Sequence, residues 1–183
     1  MDNIQLAEEK IAQCKAEKIP YLNLSDLELE SIPESIGQLT WLGALSLSRN
    51  KISNIEVLAP LTNIHKLAFS DNNIQDIDVI QHFPKLKHLF MKHNNINDIN
   101  SIKQLTKLKK IEANHNDIDN IDSLAHLEEL VFLDLAHNKL SNAKPIVDIN
   151  SLVWLCLEGN LLEKHTLIEI VSKLPKIRHF TYQ

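Results

Sequence analysis

His93, His115 and His137 stand 22 residues apart from one another in the sequence. If one structural unit repeats at that interval, their imidazoles occupy consecutive rungs, a geometry to consider for a metal site or a pH response. Zinc requires neutral rings converging at about 2.0 to 2.1 Å with a fixed second shell, whereas side chains on adjacent strands tend to project side by side. A pH response asks for less. Protonating all nine histidines moves the formal charge from -5 to +4, which weakens attraction to a basic partner. Glu112 and Asp134 share the interval and imitate a catalytic carboxylate pair, but an open, wet face supplies no pocket to shift their pKa values.

Other chemistry lacks its residues. Gly37, Gly43 and Gly159 are too few and wrongly placed for a P-loop or a G-x-G-x-x-G turn, and neither HExxH nor G-x-S-x-G occurs. Cys14 and Cys156 have no CxxC spacing, so neither a disulfide framework nor a thiolate zinc site is supported, and a reducing compartment suits them. The chain therefore reads as a non-enzyme with no catalytic residue, cofactor or metal. Its charge of -5 and pI of about 6.0 lack the dense positive field that nucleic acid requires. No stretch approaches the roughly 18 apolar residues that span a bilayer, and MDNIQLAEEK is acidic and helix-like rather than a leader. A cytoplasmic monomer, bound to neither membrane nor nucleic acid, is the expectation.

The interval belongs to the whole chain. Asn50, Asn72, Asn94, Asn116, Asn138 and Asn160 follow one another at 22 residues, each closing L-x-x-L-x-L-x-x-N with apolar equivalents allowed. The first copy reads Leu42, Leu45, Leu47, Asn50, Ile52 and Ile55, and the fourth Leu108, Ile111, Ala113, Asn116, Ile118 and Ile121. An imperfect copy with Leu22, Leu24 and Leu27 precedes them, 23 residues separating Leu27 from Asn50, and a half-copy with Ile177, Phe180 and Tyr182 follows.

This pattern resembles the leucine-rich-repeat family, in its 22-residue subclass typified by a protein phosphatase regulatory subunit and by bacterial internalins. The opening copy, YLNLSDLELESIPESIGQL, is similar instead to a 23-residue bacterial type also found beside some repeat-bearing GTPases. The resemblance implies an α/β, right-handed leucine-rich-repeat solenoid. Such a coil has a curved parallel β-sheet on its concave face, short 3-10 turns on its convex face, and helical caps at both ends. One domain covers 1-183, with an N-terminal capping helix in 1-20, repeats in 21-160 and a C-terminal cap in 161-183. The closing GNLLEKHTLIEIVSKLPKIRHF resembles the cap of the 22-residue subclass, although Leu161 stands where Pro is usual and no Leu-Asp ends it.

The residues lead to the same arrangement by themselves. In x-L-x-L-x the alternation has period two, so each copy contributes a short strand with its leucines on one side. One copy cannot bury its own apolar stripe, so neighbours stack at about 4.8 Å in a parallel sheet. The asparagine side chains, able both to donate and to accept, are expected to satisfy buried backbone groups as an asparagine ladder. Apolar residues every three positions, as in Ile74, Ile77 and Ile80, predict 3-10 turns on the back. Residues 3 to 17 predict an amphipathic helix with Ile4, Ala7, Ile11 and Cys14 on its apolar stripe.

Side chains between and beside the leucines must then line the concave face in four columns. The first is Tyr21, Ala44, Lys66, His88, Lys110, Phe132, Trp154 and His179, and the second Asn23, Ser46, Ala68, Phe90, Glu112, Asp134, Cys156 and Thr181. The third is Ser25, Ser48, Ser70, Lys92, Asn114, Ala136, Glu158 and Gln183, and the fourth Asp26, Arg49, Asp71, His93, His115, His137 and Gly159. Phe90, Phe132 and Trp154 project where burial does not explain them, as interface anchors do, unless they pack on one another or Trp154 folds under the cap. Arg49, Lys66, Lys92 and Lys110 lie toward one end and Glu112, Asp134 and Glu158 toward the other, which suits orienting a partner. The candidate partner-binding set is therefore Lys66, His88, Phe90, Lys92, Lys110, Glu112, Phe132, Asp134, Trp154 and Glu158.

The function read from these residues is a non-catalytic protein-binding module, an adaptor, inhibitor or regulator, with toxin neutralisation as one instance. A recognition subunit of a larger phosphatase or GTPase system is one alternative, and a metal or pH sensor built on His93, His115 and His137 is another.

Overall fold

Each x-L-x step becomes a strand of three residues, its middle side chain turned inward by the period-two alternation. In the computed structural model, which describes residues 3–182, eight such strands form one parallel sheet in chain order. They are β1 (Tyr21–Asn23), β2 (Ala44–Ser46), β3 (Lys66–Ala68), β4 (His88–Phe90), β5 (Lys110–Glu112), β6 (Phe132–Asp134), β7 (Trp154–Cys156) and β8 (His179–Thr181). Leu45 pairs with Leu67, Leu67 with Leu89, Leu89 with Ile111 and Ile111 with Leu133. These side chains are at most 2% exposed, and with the isoleucines of the back segments they make one continuous core. The architecture is a leucine-rich-repeat solenoid, as expected.

After each strand the chain turns away, and its inward backbone groups need partners. Asn116 Nδ2 donates to the carbonyls of Met91 (3.0 Å) and Ala113 (3.1 Å), while its Oδ1 accepts from the Ile96 amide (3.1 Å). Asn72 and Asn138 make the corresponding bonds two rungs and one rung away. Each asparagine thus ties its own copy to the one before it. The opening copy has no predecessor, which explains why apolar, half-buried Leu27 can stand in the Asn place, its amide donating 3.1 Å to Asn50 Oδ1.

The back of every coil from Glu34 to Asp148 carries a 3-10 turn, in agreement with the three-residue spacing. A second polar column starts five of the six turns. Asn54, Asp76, Asp98, Asn120 and Asn142 each accept, through Oδ1, the amide two residues ahead at 2.7 to 3.0 Å. This column was not singled out from the sequence.

Helix α1 (Asn3–Glu17) covers the first coil and buries Ala7, Ile11 and Cys14. Ile4, assigned to the same stripe in the first turn of the helix, is instead 37% exposed. Helix α2 (Lys164–Lys173) covers the other end with Leu167 and Ile170 and stops before Pro175, and β8 completes the sheet.

Candidate functional site

Register decides which outward side chains meet. Lys66, His88, Lys110, Phe132 and Trp154 occupy successive rungs of the first column, and Ala68, Phe90, Glu112, Asp134 and Cys156 those of the second. The third and fourth columns lie beyond the three-residue strands, on the turn that follows each of them. Fourth-column residues adopt left-handed backbone angles, with φ from 51° at His93 to 61° at Asp26, and Gly159 has φ 67°. Asp, His and Gly are types that tolerate this region, so the column marks the turn off the sheet. Backbone pairing nevertheless continues there, the His115 amide donating to Ala136 O at 2.9 Å. Gln183, the last member of the third column, lies outside the described residues.

The aromatic rings stay out of the interior. Phe90, Phe132 and Trp154 are each half-buried. Phe132 and Trp154 stack with centroids 4.1 Å apart and planes 5° from parallel, so part of what each ring hides is hidden by the other. The Lys110 ammonium sits 4.0 Å from the Phe132 centroid and 2.9 Å from a Glu112 carboxylate oxygen. Lys66 and Lys110 both lie 5.5 Å from the Phe90 centroid, on the rungs either side of it.

The charge gradient is narrower than the columns imply. Arg49 holds Asp26 through Nε (2.5 Å) and Nη2 (2.6 Å), and Lys110 is paired with Glu112, so neither is a free cation. Lys66 and Lys92 form no salt bridge among the described residues. Both pairings had a signal in the sequence, since Asp26 precedes Arg49 in its own column and Glu112 lies two residues from Lys110 on one strand face. At the opposite end, burial raises the Asp134 pKa and the Glu112 charge adds to it, against a hydrogen bond from the Ala136 amide at 3.1 Å. Burial, then the charges of Lys66, His65, Lys110 and Lys87, lower the His88 pKa.

His93, His115 and His137 stack face to face, with centroids 4.2 and 4.3 Å apart and planes within 20° of parallel. Side-by-side rings in near-parallel planes do not converge, and no group of three potential metal ligands gathers among the described residues. The stack ends at Gly159, where a side-chain Cβ would collide with the His137 ring.

A hollow of about 560 Å³ lies on the same face toward β1, and most of it was missed. Ala44, Ser46, Ala68 and Ser70 form its floor, and Tyr21, Lys66, Phe90 and Lys92 rise around it. Its signal was the run of small residues in the first three columns, which leaves space between the large side chains on either side.

The residues 62–104 match a family model described as leucine-rich repeats, two copies. Together with the eight-rung parallel sheet, this match supports the leucine-rich-repeat family. The chain folds as a leucine-rich-repeat solenoid. It is similar to the crystal structure of an internalin, inlF, from Listeria monocytogenes, with 25% identity and a TM-score of 0.81 over 88% of this chain and 48% of that one. Internalin C2 of the same organism superposes with a TM-score of 0.74 at 20% identity, covering all of this chain and 92% of that one. A leucine-rich-repeat protein of Leptospira interrogans gives 0.76 at 21% identity, over 92% of this chain and 50% of its own. The repeat protein thus spans about half of two of these relatives. No curated protein sequence matches it. Leucine-rich repeats commonly act as protein–protein interaction modules.

Proposed function

We propose that this repeat protein binds one protein partner across its outward sheet face and acts as an adaptor, inhibitor or regulator without catalysing a reaction. The observation that carries the reading is the pair Phe132 and Trp154, stacked at 4.1 Å on adjacent rungs yet outside the core, beside the paired charges of Lys110 and Glu112. Preformed aromatic anchors with polar neighbours lose little freedom on binding, which is how a few residues come to supply most of an interface's free energy. In this reading the ten residues from Lys66 to Glu158 named above form the contact strip, and the hollow near β1 extends it. The asparagines serve as a structural ladder beneath the strip rather than as part of it. The protein works as a cytoplasmic monomer, a location supported by its two free, buried thiols.

Affinity capture from the source organism followed by titration of the captured partner tests the proposal. Trp154→Ala or Phe132→Ala should weaken that binding by more than about 1 kcal/mol while leaving Tm nearly unchanged. Unaltered affinity in both variants would remove the strip's aromatic end from recognition.

A further inference from the structure

The cationic end of the sheet face does not stop at the strands. One residue before β3, β4 and β5 the chain carries His65, Lys87 and Lys109 on consecutive rungs, joined by backbone hydrogen bonds of 2.9 Å from Lys87 to His65 and 2.8 Å from Lys109 to Lys87. Two residues earlier stand Asn63, Lys85 and Lys107. Together Asn63, His65, Lys85, Lys87 and Lys107 surround a second depression of about 380 Å³ on the flank of the sheet. Lys109 is neutralised by Glu129 at 3.4 Å, and Lys85 donates to Asn63 at 2.5 Å. Lys87 and Lys107 form no salt bridge among the described residues, as is also true of Lys66 on the adjoining face. In a chain of net charge -5, Lys66, Lys87 and Lys107 are thus a local group of cations without an ion-pair partner among the described residues.

We propose that this flank, formed by Lys85, Lys87 and Lys107 and continuous with Lys66 on the sheet face, is a docking site for an acidic segment of a protein partner. The proposal rests on the protein-binding reading above and adds the partner's chemistry. Charge complementarity supports it: separated ammonium groups around a depression match carboxylates spaced along a peptide, and each cation avoids like-charge repulsion when one arrives. The positive field already acts on a neighbour, since Lys66, Lys87 and Lys110 all disfavour protonation of His88. A protein segment suits the site better than a nucleic acid, because Glu112 and Asp71 line the neighbouring hollow and a long polyanion would meet them and the acidic remainder of the chain. It also suits it better than a membrane, because the cations border a depression rather than a flat surface with apolar groups to insert.

The test is fluorescence anisotropy of the full chain with a labelled oligoglutamate peptide, at low and at high salt. Side-by-side titrations use a labelled single-stranded oligonucleotide and vesicles containing phosphatidylserine. Saturable binding of oligoglutamate, weakened about tenfold or more by combined Lys85→Gln, Lys87→Gln and Lys107→Gln, is expected. Lys176→Gln, an exposed cation in the closing coil and outside the flank, should leave it within about twofold. An unchanged Tm shows that the exposed lysine variant is folded. Absence of oligoglutamate binding at low salt, equal binding by the lysine variant, or tighter binding of the oligonucleotide or the vesicles would overturn the proposal. The protein-binding reading fails separately, when the aromatic variants leave the captured partner's affinity unaltered.

Discussion

Leu89 and Phe90 are consecutive residues of one three-residue strand, and opposite constraints act on them. Leu89 faces Leu67 and Ile111 across the sheet and has no exposed surface, so every copy needs an apolar residue of similar volume there. Phe90 pairs with Ala68 on one side and Glu112 on the other, and no two of these three resemble each other. Repetition marks what holds the coil together, and variation marks what has been left to meet something else. Truncating the pair tests the distinction most directly. Leu89→Ala should lower the unfolding free energy by about 2 to 5 kcal/mol in denaturant titrations, because a cavity opens in a core that cannot collapse around it. Phe90→Ala, which gives up contacts with Lys66 and Lys110 at 5.5 Å, should cost well under half of that. Equal losses would mean that Phe90 is core and that the outward columns are not a free surface.

Between these extremes stands the asparagine column, polar yet repeated. Asn116→Ala should cost about 1 to 3 kcal/mol, since it leaves the Ile96 amide without its acceptor and takes one donor each from the Met91 and Ala113 carbonyls, which keep Asn94 and Asn138. The same change at Asn160, which is half-buried near the end of the sheet, should cost less than at Asn116. A flat profile across the two would show that the bonds contribute little beyond what water supplies.

The contrast also explains what was legible in the sequence. Leucine and asparagine recur because each rung sets the same packing and hydrogen-bonding problem, so strands, order and register could be read from the 22-residue interval, while the first cap was read from helical spacing in 3–17 and the last from its resemblance to the subclass's cap. The column that starts the 3-10 turns escaped notice because it mixes Asn and Asp, both of which satisfy the turn. Outward columns could be placed but not interpreted in full. Lys110 with Glu112 forms along a strand face between two columns, which column-by-column reading separates, whereas Arg49 with Asp26 lies within one column and was read for its sign alone. The hollow near β1 consists of what Ala44, Ser46 and Ala68 lack, and a missing side chain gives no positive signal. His93, His115 and His137 shared a column as expected, but their positive φ angles place them at the turn off the sheet.

That histidine stack provides the smallest and finest test of the comparison, because it is repeated and yet outward. Its middle ring, His115, has a pKa below the ordinary histidine value of 6.5, through burial first and then the neighbouring charges of His93 and His137, with Lys92 adding and Asp134 opposing. A histidine with a lower pKa folded than unfolded binds fewer protons in the folded state, so stability falls as pH drops from 6.5 toward the folded value. His88 is shifted in the same direction and contributes to the same slope. Asp134, whose pKa is raised, acts in the opposite sense at lower pH, which makes the window from about pH 7.5 to 5.5 the useful one. His115→Asn keeps a residue type that tolerates the left-handed turn while removing the central ring. Chemical denaturation across that window should give a shallower loss of stability for the variant than for the parent, with His88 retained in both. Parallel curves would show that the three rings stand together only because the coil repeats, and that their stacking carries no electrostatic coupling.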